Sequence, residues 1–198
     1  MTGRKAVFLD LQGTLGGEGL GDIRDFSFFP GAAGAIKLLN DAGLLVIVLT
    51  NQSHIAKGCF SYEEFEERMG QLTRKLTEQG ASVDAVYCCP HGKDDGCTCK
   101  KPLPGMVFRA RRDFELDVTR CYLVGDCGVT DMVLAQAAGC RAILVRTGLG
   151  ESSLGEYRHL WAEVEPDFIA SDVLEAVRWV IDSERDDSDD SPLHSKAR

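Results

Sequence analysis

Ala6-Val7-Phe8-Leu9-Asp10-Leu11-Gln12-Gly13-Thr14-Leu15 is an apolar run that stops at a carboxylate and then turns over a glycine. The run suits a buried strand and is too short for a helix. In an open parallel sheet, ligands collect outside the carboxyl ends of the strands, so Asp10 stands at the rim of the usual crevice. An aspartate there is also a common solvated cap. The choice between these readings depends on what the rest of the chain supplies.

Four later segments repeat the pattern. Residues 44–49 are a continuous apolar run that ends in Thr50-Asn51-Gln52-Ser53; residues 83–88 form a third candidate strand; residues 121–124 are closed by Gly125-Asp126; and residues 141–145 form a fifth. Helices are expected between them. The first covers 32–42 with Ile36, Leu38 and Leu39 inward, and the second follows the capping box Ser61-x-x-Glu64 to about residue 79. Others are expected over 105–114, entered through Pro102 and Pro104, and over 131–138. Residues 168–170 add an edge strand and 172–181 a closing helix. Alternating strand and helix predicts an α/β domain with a doubly wound parallel sheet over residues 1–181. The glycine-rich stretch 16–21 reads as a mobile loop over the site, Gly148-Leu149-Gly150 as a turn, and the Asp- and Ser-rich residues 182–198 as a disordered tail.

The chain has 198 residues, 44% of them hydrophobic, and a net charge of -9, so it can bury one good core and offers no basic surface for nucleic acid or an anionic membrane. No stretch reads as a signal peptide or as long enough to span a bilayer, which predicts a soluble cytoplasmic protein. A compact monomer with an open site is expected. With no secretory signal, the eight cysteines point to metal binding or burial rather than to disulfides.

The strand ends together present Asp10, Thr50 and Asn51, Lys101 ahead of a helix, and Asp126 with Asp131 beyond it. A carboxylate attacks phosphorus only when the phosphate charge is neutralised. Thr50 and Asn51 are donors to phosphate oxygens, Lys101 is the cation, and Asp10 with Asp126 suits Mg²⁺, a hard ion that prefers carboxylates. The inventory is that of metal-assisted phosphoryl transfer.

In order and spacing these segments resemble the four motifs of the haloacid dehalogenase superfamily: Asp10-Leu11-Gln12-Gly13-Thr14, Val48-Leu49-Thr50-Asn51, Lys101-Pro102, and Val124-Gly125-Asp126 through Asp131. Thr50-Asn51-Gln52-Ser53-x-Ile55-Ala56-x-Gly58 and Cys-Pro-His before Cys-x-Cys-x-Lys-Pro are most similar to its heptose bisphosphate and histidinol phosphatase branch, subfamily IIIA. The resemblance implies a Rossmann-like core with a small zinc-loop insertion and no large cap. It also implies a Mg²⁺-dependent phosphohydrolase in which Asp10 forms an aspartyl-phosphate, with a phosphorylated sugar such as heptose 1,7-bisphosphate as substrate. Gln12 would contribute its backbone carbonyl to the metal, and Gln52, Ser53 and Lys100 would touch substrate.

The departure is Gln12, where the family carries a second aspartate as general acid and base. An amide exchanges no proton at neutral pH, and losing a positioned acid/base costs about 10²- to 10⁴-fold. A catalytically impaired relative that binds a phosphorylated ligand or a protein partner without turnover is the alternative. Lys100 replaces the usual arginine, His54 a usual glycine, and Cys127 follows Asp126 directly. Asp126 and Asp131 are separated by four residues instead of the commoner three, which leaves the part played by Asp131 open.

Cys89, His91, Cys97 and Cys99 offer three thiolates and an imidazole, a set suited to tetrahedral structural Zn²⁺ that would pin the polar loop 88–100. Unliganded reduced cysteines are the alternative. Of the remaining cysteines, Cys127 is the one expected to face the site. Lys57 and Arg146 read as solvated charges or as contacts to a second phosphate group, Trp161 and Trp179 as core or interface aromatics, and His159 and His194 as surface groups.

Overall fold

The computed structural model describes residues 3–189. Six strands, β1 (Ala6–Asp10), β2 (Leu45–Asn51), β3 (Ala85–Cys89), β4 (Tyr122–Gly125), β5 (Arg141–Val145) and β6 (Phe168–Ala170), form one parallel sheet in the order β3-β2-β1-β4-β5-β6. β1 is central, paired with β2 (Asp10 beside Leu49) and with β4 (Leu9 beside Val124). The order reverses across the β1/β4 pair, and that switch opens a crevice at the carboxyl ends of the strands.

Alternation along the strands feeds two cores. Val7, Leu9, Val46, Val48 and Val124 face one side, covered by α1 (Ala32–Asp41), α3 (Tyr62–Glu78) and α7 (Val173–Asp189). Phe8, Ile47, Leu49, Leu123 and Leu144 face the other, against α4 (Gly105–Phe114) and α5 (Val133–Ala138). The short helices α2 (Ser53–Ala56) and α6 (Gly150–Leu154) follow the ends of β2 and β5. Among the described residues no large cap domain covers the crevice, and no helix is long and apolar enough to cross a membrane.

Several boundaries differ from the expectation. The closing helix runs to Asp189 because Glu184 is held there, by Lys5 and by Tyr122 Oη at 2.9 Å. The rest of the expected disordered tail, with His194, lies outside the described residues. Leu38 is exposed rather than inward: the α1 stripe is Ala32, Ala35, Ile36 and Leu39, and at 100° per residue Leu38 falls on the flank, outside that stripe. The 16–21 loop is tied to its flanks and to itself by backbone hydrogen bonds, with Gly13 N–H on Gly16 O (2.8 Å), Gly17 N–H on Ser27 O (3.0 Å) and Gly21 N–H on Glu18 O (2.9 Å). The capping box of α3 forms as expected, Ser61 and Glu64 each bonding the other's backbone N–H.

Candidate active site

Because β1 and β4 end side by side, Asp10 and the Asp126 that follows β4 meet over the crevice, and Lys101 reaches in from the segment before α4. Lys101 Nζ donates to Asp10 Oδ1 (2.5 Å), Asp131 Oδ1 (2.7 Å) and the Leu49 carbonyl (3.2 Å), and all three charged side chains are buried. Oxygens of Asp10, Asp126 and Asp131 lie within 4.8 Å of one another. Three carboxylates and one ammonium leave a buried excess of negative charge.

The protonation behaviour follows. Burial raises Asp10 to about 6, against Lys101, which pulls it down, and with Asp131, which adds to the rise. Asp126 goes further, to about 8, through burial and then through repulsion by Asp10 and Asp131. Burial pushes the Lys101 ammonium down, but Asp10 and Asp131 outweigh it and hold its pKa above that of an ordinary lysine.

The extra residue between Asp126 and Asp131 is absorbed by a single π-helical turn, Gly128–Met132, ahead of α5. Such insertions concentrate at functional sites. Here the turn returns Asp131 to Lys101 and lets its Oδ2 accept the Cys127 N–H at 3.1 Å. Asp131, left open by its spacing, is therefore part of the cluster.

Asn51 uses its amide on the backbone of Lys101, accepting from its N–H (3.0 Å) and donating to its carbonyl (3.2 Å). It thus aims the lysine, whereas the sequence suggested phosphate. Gln52 Nε2 donates to Thr50 Oγ1 and to Gln12 Oε1, both at 2.9 Å, while Gln12 Nε2 bonds the Gly21 carbonyl. Gln12 is buried and its amide is spent at both ends. Lys100 bonds Ser53 Oγ and the His91 carbonyl (3.1 Å), tying the wall of the crevice to the cysteine loop.

Gly148-Leu149-Gly150, expected to be only a turn, buttresses the site. The Leu149 N–H donates to Asp126 Oδ2 (2.7 Å), Thr147 Oγ1 donates to Gly13 O (2.6 Å), and a Cβ on Gly148 would stand 2.1 Å from Asp126 Oδ2. No periodicity marks this role; only the glycines hint at a close approach. The resulting cavity of about 440 Å³ is lined by the cluster, Thr50 to His54, Lys57, Lys100, Cys127 and the loop residues Gly19 to Gly21. Arg146 points elsewhere, to Glu151.

Beside it, Cys89, His91, Cys97 and Cys99 each offer a ligand atom within 4.8 Å of the others, with His91 Nδ1 3.6 Å from Cys89 Sγ and 3.2 Å from Cys99 Sγ. Burial pushes the Cys89 thiol up, so a thiolate there requires a compensating cation. The donor set fits a tetrahedral ion.

Residues 98–176 match the HAD-hydrolase-like family model. Over 164 residues the chain is 38% identical to the D-glycero-beta-D-manno-heptose-1,7-bisphosphate 7-phosphatase of Haemophilus ducreyi, covering 78% of this chain and 90% of the relative. The chain belongs to the HAD-like hydrolase family. The corresponding Thermosynechococcus vestitus protein is 38% identical over 191 residues, covering 89% of this chain and 95% of the relative. Among solved structures, the D,D-heptose 1,7-bisphosphate phosphatase of B. bronchiseptica, complexed with magnesium and phosphate, superposes with a TM-score of 0.81 at 30% identity, covering 91% of this chain and 99% of that one.

Proposed function

We propose that this chain is a Mg²⁺-dependent phosphohydrolase of a small phosphorylated sugar, with heptose 1,7-bisphosphate as the first candidate. The carrying observation is the buried cluster of Asp10, Asp126 and Asp131 around one ammonium, an oxygen-rich pocket short of positive charge. Oxygen donors and excess negative charge fit Mg²⁺, which Asp10, Asp126 and the Gln12 backbone carbonyl would hold. When bound, the ion supplies charge neutralisation for the incoming phosphate. Asp10 attacks phosphorus, Lys101 and the Thr50 hydroxyl bind the phosphoryl oxygens, and Asp131 and Asn51 keep Lys101 in place. Gln52, Ser53 and Lys100 form the wall that meets the sugar. The cysteine and histidine cluster is assigned to structural Zn²⁺, which would fix that wall.

Gln12 supports a second reading, in which the chain binds a phosphorylated ligand without turning it over. Its amide is paired with Gln52 and Gly21 and carries no exchangeable proton. The two readings separate in one assay: phosphate release with Mg²⁺ from heptose 1,7-bisphosphate, fructose 1,6-bisphosphate and p-nitrophenyl phosphate, for the wild type, Asp10→Asn and Gln12→Asp. Turnover by the wild type that Asp10→Asn abolishes establishes the hydrolase. Turnover by Gln12→Asp alone establishes the binding protein.

A further inference from the structure

We propose that His54 carries the proton to the leaving oxygen, the task that Gln12 cannot perform. The inference rests on the phosphohydrolase reading. In-line attack by Asp10 places the leaving oxygen on the far side of phosphorus, away from the sheet and toward the cavity mouth. His54 lines that cavity, half-buried, in α2 two residues beyond Gln52.

His54 and Gln12 line the same cavity, and the Gln12 amide bonds both the Gly21 carbonyl and the side chain of Gln52, two residues before His54. On its other side the imidazole meets the buried Phe60 ring, with centroids 6.3 Å apart and planes at 66°, and Arg24 lies over that ring while paired with Asp22. The imidazole is thus packed against Phe60 at the cavity wall rather than loose in solvent.

No other group in the cavity suits the task. Asp10 and Asp126 would hold Mg²⁺, which competes with the proton on those carboxyls, Asp131 is paired with Lys101, Lys100 is bonded to Ser53 and to the His91 carbonyl, and burial pushes the Cys127 thiol up. Lys57 is exposed, and an ammonium becomes an acid near neutral pH only when desolvated. Imidazole is the side chain that gains and loses a proton in that range.

The step balances. Asp10 forms a bond to phosphorus, the bond from phosphorus to the ester oxygen breaks, and that oxygen takes a proton from the imidazolium to leave as an alcohol. The neutral imidazole then accepts a proton from the water that attacks the aspartyl-phosphate. The bond from phosphorus to Asp10 breaks, and phosphate, carboxylate and imidazolium are restored.

The test is the leaving-group dependence of kcat/KM, which reports steps up to departure of the alcohol, for the wild type and His54→Gln. Two substrates are compared: heptose 1,7-bisphosphate, whose alkoxide needs a proton, and p-nitrophenyl phosphate, whose phenolate does not. His54→Gln should lower kcat/KM by about 10²- to 10⁴-fold for the sugar phosphate and by less than about threefold for the aryl phosphate. Adding Gln12→Asp to His54→Gln should restore the sugar phosphate activity. Equal losses on both substrates, or no loss on either, overturn the role of His54 while leaving the hydrolase intact. A wild type inactive on both overturns the hydrolase reading and this inference with it.

Discussion

Lys101 Nζ lies 2.5 Å from Asp10 Oδ1, and the same ammonium reaches Asp131 at 2.7 Å, so one buried cation holds two buried anions. Removing one partner of such a pair leaves an uncompensated buried charge, which costs about 3–5 kcal/mol. Lys101→Met should therefore lower the unfolding free energy by that much, read as a lower urea midpoint with little change in the slope. A loss below about 1 kcal/mol would mean that the carboxylates are solvated and the cluster is not what neutralises them.

The same crowding sets a pH dependence. Burial first, then neighbouring carboxylates, raises Asp10 to about 6 and Asp126 to about 8, above an unfolded value of 3.8. Between these limits the folded state binds more protons than the unfolded one, so the stability of the metal-free protein falls as pH rises from about 4 through 8. Melting curves in a chelator should show this decline, and Asp126→Asn should flatten its upper part. Added Mg²⁺ should stabilise more at pH 8.5 than at pH 5.5, because proton and cation compete for the same carboxylates.

The cysteine and histidine cluster yields a prediction independent of turnover. The protein should hold one zinc per chain by elemental analysis. Cys99→Ser should lose it and open the 88–100 loop to proteolysis while the sheet stays folded, since β3 enters the loop but the core lies beneath. A variant with unchanged metal content and protease resistance would favour unliganded thiols.

The fold was legible because strands buried on both faces read as apolar runs, and the runs of β1, β2 and β4 end in the polar residues that form the site. Asp10, Thr50, Lys101 and Asp126 could be placed from chain order alone. What could not be read was pairing across the crevice. Nothing in the pattern says that Asn51 spends its amide on the Lys101 backbone, or that a π-turn takes up the residue that puts Asp131 out of step. These depend on contacts between segments that only the folded sheet brings together. Leu38 and the end of α7 depart from the sequence expectation for a related reason: local hydropathy does not report which face of α1 meets the sheet, or that Lys5 and Tyr122 bond Glu184.

In sequence Gly148 reads as a turn residue, yet its backbone lies against both Asp126 and Gly13. It has φ +56°, and a Cβ there would stand 2.1 Å from Asp126 Oδ2 and 2.4 Å from Gly13 Cα. Gly148→Ala must therefore move either the Leu149 N–H that holds Asp126 or Asp126 itself. Gly139, at φ +82° with nothing within 4 Å of its would-be Cβ, supplies the matched control: Gly139→Ala bears the left-handed backbone cost, about 1–2 kcal/mol, with no clash. Both variants should lose stability, but only Gly148→Ala should weaken Mg²⁺ binding, by about 10- to 100-fold in a titration of the thermal shift. Equal Mg²⁺ affinity in the two would show that Asp126 needs no support from this turn, and that its hydrogen bond to Leu149 is incidental.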